Sequence, residues 1–74
     1  MACLPVLSGR DVARTFQQLG WAVARQSSSH IILVKEGHPA TLSVPDHDEV
    51  AKGTLRSLIR QAGTTVAEFV AAIR

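Results

Sequence analysis

The amino-acid sequence predicts an α+β fold in which helices gather on one face of a small antiparallel sheet. Apolar residues recur at helical spacing towards both ends of the chain, whereas the middle is rich in β-branched residues interrupted by short turns. Strands joined by short turns pair antiparallel, so a three-stranded sheet is expected. The expected element order is α-β-β-β-α, followed by a short extra helix at the C-terminus.

The first element is a helix expected over residues 9–19. Ser8 is a suitable N-cap, and Asp11 occupies the third position of a start that resembles a capping box. Gly20 ends the helix. The apolar stripe between these signals has helical spacing and consists of Val12, Phe16 and Leu19.

The first two strands are expected to form a hairpin. Residues 21–26 alternate, which predicts that one face carries Trp21, Val23 and Arg25. The three serines at residues 27–29 form the turn. Residues 30–35 are β-branched and almost wholly apolar, which predicts a central strand that is buried on both faces.

A third strand is expected at an edge of the sheet. Residues 36–39 predict a tight turn in which Gly37 supplies a positive φ. Residues 41–44 then alternate cleanly and stop at Pro45, as is typical of an edge strand with one polar face.

Two helices are expected to close the chain. Thr54 is the expected N-cap of the first, and Gly63 ends it. Its apolar stripe consists of Leu55, Leu58, Ile59 and Ala62. Thr65 and Glu68 form a capping box for a short last helix. This order of elements is that of the double-stranded-RNA-binding fold.

Length and composition limit the classes of function. The chain has 74 residues, 46% of them hydrophobic and 19% charged, which is typical of one globular domain over residues 1–74. Cys3 is the single cysteine and cannot form an internal disulfide. The first residues lack the pattern of a signal peptide, and no apolar run approaches the ~20 residues that span a bilayer. We expect a cytoplasmic protein with no membrane partner.

Basic residues mark the start of the second of the three helices. The net charge is only +2, so the placement of charges matters more than their sum. Lys52 is expected just before this helix, and Arg56 and Arg60 lie one turn apart on one face. This face is either a solvated surface or a contact for RNA phosphates, and both readings remain open.

His30 is the one candidate for catalysis. It begins the central strand directly after Ser29. A lone histidine at such a position is commonly structural or simply exposed. Imidazole nevertheless titrates near neutral pH, so it can act as general base or acid in RNA cleavage. That reaction requires no metal and little depth, which suits a short chain.

The other histidines carry weaker signals. His38 is expected to be exposed in its turn. His47 stands between Asp46 and Asp48, but this spacing fits no strong metal-ligand signature, so a surface loop is expected. The sequence has no Gly-rich phosphate loop, and we expect neither a metal nor a small-molecule cofactor. Trp21 is expected to pack in the core.

Several short motifs run through nearly the whole chain in one order and spacing. They are residues 4–11, Gly20-Trp21, Arg25-Gln26, Ser29-His30, Val44-Pro45, His47, residues 52–63 and Glu68-Phe69. Together they resemble the HicA, or YcfA-like, toxins of bacterial and archaeal type II toxin–antitoxin systems.

The resemblance implies the toxin of such a pair, a metal-independent mRNA interferase of the stress response with a double-stranded-RNA-binding-like fold. The Gly-Ser-His pattern of the family maps its catalytic histidine onto His30 and its serine onto Ser29. Ser28 stands where the family usually has Gly, a residue that permits φ values that Ser resists. The implied partners are mRNA and a HicB-type antitoxin that covers the region of His30.

Three functions are therefore compatible with the sequence. The first is an endoribonuclease with His30 as general acid/base, in which Ser29, Lys52 and Arg56 contact RNA. The second is an RNA-binding module of the same fold, indifferent to the change His30→Ala. The third is a protein-interaction domain with little salt-dependent affinity for RNA.

Overall fold

The computed structural model describes residues 3–74. Its elements are α1 (Gly9–Gln18), β1 (Ala22–Gln26), β2 (His30–Val34), β3 (Leu42–Pro45), α2 (Lys52–Gln61) and α3 (Val66–Ala71). The three strands form one antiparallel sheet in the order β1-β2-β3. The expected α+β class, the element order and the central position of β2 are confirmed. Within residues 3–74, no helix has the length and apolar character needed to cross a bilayer.

The helices cover only one face of the sheet. Ile31 and Leu33 of β2 are buried, and so are their partners on β3, Val44 and Leu42. Side chains directly opposite one another in an antiparallel pair point to the same face. This helix face therefore carries the core, and the other three residues of β2 lie exposed or half-buried on the open face. The prediction that β2 is buried on both faces is wrong.

Phe16 of α1 lies at the centre of the core, fully buried against the helix face. Its ring centroid is 5.0 Å from that of Phe69 on α3 and 6.3 Å from that of Trp21. Trp21 is only 4% exposed, which confirms its predicted place in the core. Leu4 and Leu7, which precede α1, are buried in the same cluster.

Side-chain caps begin two of the helices as the sequence predicts. The Ser8 hydroxyl accepts a hydrogen bond from the Asp11 N–H at 3.1 Å. At α3, Thr65 and Glu68 complete the capping box. Hydrogen bonds from the Thr65 and Thr64 hydroxyls and from the Thr65 N–H to the Glu68 carboxylate lower the pKa of that carboxyl below its ordinary value.

The helix α2 begins earlier than the sequence predicts. Lys52 is its first residue, and Ala51 at the N-cap makes no side-chain capping bond, so the expected cap at Thr54 is wrong. Val50 is buried in the core, and its N–H donates to the Leu7 carbonyl at 2.8 Å. This anchor fixes where the chain turns into the helix, in place of a hydroxyl cap.

A β-bulge interrupts β1 and its predicted alternation. Val23 pairs with Leu33, but the next pair joins Arg25 to Ile32, so Ala24 is the extra residue. Val23 therefore shares the face of Leu33, whereas Arg25 shares the open face with Ile32. The prediction that Val23 and Arg25 lie on one face is wrong, because an inserted residue reverses the alternation that follows it.

The turn between β2 and β3 holds a histidine that is not exposed as expected. Gly37 has a φ of +78°, which confirms its role in the turn. The half-buried His38 ring packs against Trp21, with 4.9 Å between the ring centroids. Its Nδ1 accepts a hydrogen bond from the Ala40 N–H at 3.1 Å. His38 is thus a packing residue between the turn and the core.

Candidate active site

His30 stands at the first position of β2, on the open face of the sheet. The Ser27 N–H donates to the His30 carbonyl at 2.9 Å and closes a turn made of Ser28 and Ser29. The side chain is exposed, and Ile32 follows it along the same face. The imidazole thus projects from the tip of the β1–β2 hairpin, where a large substrate has access to it.

Ser28 occupies this turn without strain. Among residues 3–74, every residue with positive φ is a glycine, so Ser28 keeps an ordinary negative φ. The conformational freedom of a glycine is not required at this position of the chain. The departure of Ser28 from the family pattern therefore leaves the backbone that carries His30 in a conformation available to any residue.

The Ser29 hydroxyl holds the imidazole of His30. The distance between Ser29 Oγ and His30 Nδ1 is 3.0 Å. A serine hydroxyl both donates and accepts, so this contact persists whether Nδ1 carries a proton or not. No hydrogen bond joins Nε2 to any side chain or backbone group of residues 3–74. The nitrogen free to meet a substrate is therefore Nε2.

Asp46 ties the histidine-bearing turn to the rest of the fold. Its backbone N–H donates to the Ser29 carbonyl at 2.9 Å. Its carboxylate accepts from Gln26 Nε2 at 3.3 Å and lies 3.9 Å from Arg10 Nε on α1. The sequence gives Asp46 only as part of a loop. Its partners lie far away along the chain, so no local pattern indicates this role.

The first residue of α1 packs against the end of β3, next to the site. The Gly9 N–H donates to the His47 carbonyl at 2.9 Å. A side chain at Gly9 would collide with the backbone of Pro45, the residue that pairs with His30 across the sheet. The absence of a side chain at Gly9 therefore allows α1 to approach the strand end beside His30.

Lys52 and Arg56 do not lie on the face that carries His30. Both belong to α2, whose buried residues pack on the helix face. Both are exposed, and neither has a carboxylate within 4.0 Å in the described chain. The connection over residues 46–51 leads from the end of β3 beside His30 to Lys52. Because α2 packs on the helix face, Lys52 and Arg56 lie in the helix layer, on the opposite side of the sheet from the open face.

Arg25 is the cation that shares the open face with His30. It pairs with Ile32, which is two residues from His30 along β2. It is exposed, and no acidic group of residues 3–74 lies within 4.0 Å of its guanidinium. The alternation of β1 predicts Arg25 on the face of Val23 and leaves the face of His30 undecided, whereas the structure places Arg25 and His30 on the same face.

No metal or small-molecule cavity is formed by the described residues. His47 is exposed in the loop after β3, as expected, and contributes its carbonyl to the start of α1. Within residues 3–74, no three histidine, cysteine, aspartate or glutamate side chains cluster as possible ligands. The surface of this range also has no pocket.

Residues 9–64 match the family described as the HicA toxin of bacterial toxin–antitoxin systems. The match begins at the first residue of α1 and ends just after α2, so it includes the whole sheet and His30. A comparison with curated proteins finds no match. Since the matched range covers most of its 74 residues, the chain belongs to the HicA family and is the toxin of a toxin–antitoxin pair, with a cognate antitoxin as its partner.

Proposed function

We propose that this toxin is a metal-independent endoribonuclease that cleaves mRNA with His30 as its general acid/base. The observation that carries the proposal is the placement of His30. It is exposed at the tip of a hairpin, its Nδ1 is held by Ser29, and its Nε2 is free of partners within residues 3–74. A long, flexible substrate can reach such a group on an open surface without a cleft.

The hydrogen bond to Ser29 supports both halves of the proton transfer. In the neutral tautomer that carries the proton on Nδ1, this group donates to Ser29 Oγ and leaves Nε2 with a lone pair. Nε2 then takes the proton of a ribose 2′-OH, and the 2′ oxygen bonds to the adjacent phosphorus. The resulting imidazolium keeps its bond to Ser29.

The reaction is completed by proton return to the leaving group. The bond between phosphorus and the 5′ oxygen breaks, and the imidazolium of His30 supplies the proton that this oxygen takes up. The products are a 2′,3′-cyclic phosphate and a 5′-hydroxyl end. Protons balance over the cycle, so His30 is restored to its starting state without another reactant.

Lys52 and Arg56 bind RNA phosphates that are not at the cleaved bond. Both are exposed cations without acidic partners in the described chain, and their position in the helix layer suits phosphates upstream or downstream of the cleaved bond. Ser29 serves RNA recognition indirectly, because its hydroxyl holds the imidazole of His30 that contacts the RNA. A HicB-type antitoxin would inhibit the toxin by covering the open face at His30.

Induced expression of the chain in a bacterial host tests the proposal. Growth and total RNA are compared for the unchanged chain, His30→Ala and the matched control His47→Ala. His47 is an exposed histidine that uses only its backbone carbonyl in the described contacts, so its side chain should be dispensable. We expect growth arrest and loss of mRNA with the unchanged chain and the control, and neither with His30→Ala.

The chemistry is tested by mapping the RNA ends. Purified protein incubated with a mixed-sequence transcript in the presence of a chelator should leave 2′,3′-cyclic phosphate ends. If soluble, folded protein accumulates while growth and RNA remain intact, the enzyme proposal fails. RNA binding that is equal for the unchanged chain and His30→Ala, without cleavage, would instead identify a binding module.

A further inference from the structure

The bulge at Ala24 decides which side of the sheet Arg25 faces. Without the extra residue, Ala24 would pair with Ile32 and Arg25 with the buried Ile31, on the helix face. With it, Arg25 pairs with Ile32 and lies on the open face. Bulges are a known device for redirecting a side chain near a functional site. The shift brings a guanidinium to the face that carries His30.

Arg25 lies within reach of a group bound at His30. The Ser27 N–H donates to the His30 carbonyl, so Ser27, just after the end of β1, lies across from His30. Arg25 belongs to β1 and precedes Ser27 by two residues. His30 and Arg25 are therefore diagonal neighbours. Such neighbours lie about 7–8 Å apart, a distance that long side chains span. A phosphate held between the two residues can contact both.

The charge of Arg25 is available for a ligand. Arg10 lies beside Asp46 and Arg14 beside Asp11, whereas Arg25 has no acidic partner within 4.0 Å among residues 3–74. Its guanidinium presents a planar fork that matches two oxygens of one phosphate. Its cross-strand partner Ile32 is half-buried beside it on the open face.

We propose that Arg25 binds the scissile phosphate through its two non-bridging oxygens and stabilises their charge in the transition state, while His30 moves the protons. The inference rests on the proposed RNA cleavage and extends it: the stabilising cation comes from the bulged strand beside His30, and the cations of α2 bind RNA elsewhere. Arg25 is thus a catalytic residue for the same reaction.

Two substitutions and one control test this role in purified protein. Arg25→Gln removes the charge, Arg25→Lys keeps the charge but loses the fork, and Arg14→Gln makes the same charge change on an exposed residue of α1 that already has a carboxylate partner. Single-turnover cleavage of a labelled mixed-sequence transcript is measured for each. We expect about a 100-fold loss of rate for Arg25→Gln, a smaller loss for Arg25→Lys and no loss for Arg14→Gln.

A second readout separates phosphate binding from a structural effect. In a His30→Ala background, RNA affinity is measured as a function of salt concentration. Loss of one phosphate contact lowers the slope of log affinity against log salt by about 1, which a change in packing would not do. We expect this drop for Arg25→Gln and an unchanged slope for Arg14→Gln. Thermal unfolding of each variant verifies that the fold is retained.

The outcomes distinguish this inference from the proposed function. If the unchanged chain and Arg25→Gln cleave equally and their salt slopes agree, the role of Arg25 is overturned while RNA cleavage stands. If the unchanged chain does not cleave RNA, the proposed function fails, and the salt slope alone decides whether Arg25 binds phosphate. If Arg25→Gln does not fold, a loss of rate in a folded Arg25→Lys supports the role, and a full rate contradicts it.

Discussion

Replacement of Gly9 or Gly53 by alanine should have opposite effects on the free energy of unfolding, although both glycines lie in the first turn of a helix. Gly9 is the first residue of α1, and Gly53 is the second residue of α2. A Cβ added at Gly9 would lie 2.9 Å from Asp46 Cα and 3.0 Å from the carbonyl carbon of Pro45, and closer still to the Pro45 oxygen. A Cβ at Gly53 would have no atom within 4 Å.

The magnitudes follow from these surroundings. The atoms that a side chain at Gly9 would meet all belong to the backbone, so they cannot rotate away and α1 must move from the end of β3. We expect this movement to cost about 3 kcal/mol, the upper end of the range for overpacked sites. The higher helix propensity of alanine returns about 1 kcal/mol. Gly9→Ala should therefore lower the free energy of unfolding by about 2 kcal/mol, whereas Gly53→Ala, which has the propensity gain without a collision, should raise it by about 1 kcal/mol.

Urea unfolding followed by tryptophan fluorescence measures both variants. Trp21 is the single tryptophan and is buried, so its emission reports loss of the core. In thermal unfolding, a loss of about 2 kcal/mol corresponds to a midpoint lower by about 8–16 °C in a domain of this size. If Gly9→Ala is as stable as Gly53→Ala, then α1 is not held against Pro45, and the reasoning about this close approach is refuted.

Three further predictions concern the core, the second turn and the last helix. Phe16→Ala should lower the free energy of unfolding by about 3–5 kcal/mol, since the ring is fully buried between two other aromatic rings; a loss below about 1 kcal/mol in urea unfolding would contradict the central place of Phe16. His38→Ala should lower the free energy of unfolding by about 1 kcal/mol and shift the emission of Trp21, because the Ala40 N–H loses its acceptor and the indole loses the tilted imidazole packed against it. Unchanged emission would argue against this ring contact. The lowered pKa of Glu68 means that its charge stabilises the fold above the ordinary pKa of glutamate and that this contribution is lost as the pH falls through the lowered value. The stability difference between the unchanged chain and Glu68→Gln should therefore disappear on acidification, and a difference that persists at low pH would refute this linkage.

The helices are the part of the fold that the sequence predicts best. Ser8 with Asp11 and Thr65 with Glu68 lie three residues apart, so the sequence shows both members of each cap together. The start of α2 is the exception. Its position is set by Val50, which packs in the core and bonds to Leu7, and these contacts join segments that are distant along the chain.

The candidate site is predicted less completely, because its geometry depends on the sheet. Both alternate sets of residues in β2 are apolar, so the pattern does not decide which face carries His30. The bulge at Ala24 has no signal in a run of alternating residues, and it reverses the side on which Arg25 lies. The link from Asp46 to Gln26 and Arg10 spans distant parts of the chain.

The residues on the helix face of the sheet form the core and maintain the fold, whereas those on the open face can be replaced with little effect on stability. His30 and Arg25 are exposed and contribute almost nothing to the core, so replacing either should change stability by no more than about 0.5 kcal/mol. Under the proposed roles of His30 and Arg25, the activity of the toxin can be removed without unfolding the chain. If the proposed function holds, folded variants at these two positions should therefore accumulate in cells that the unchanged chain would arrest.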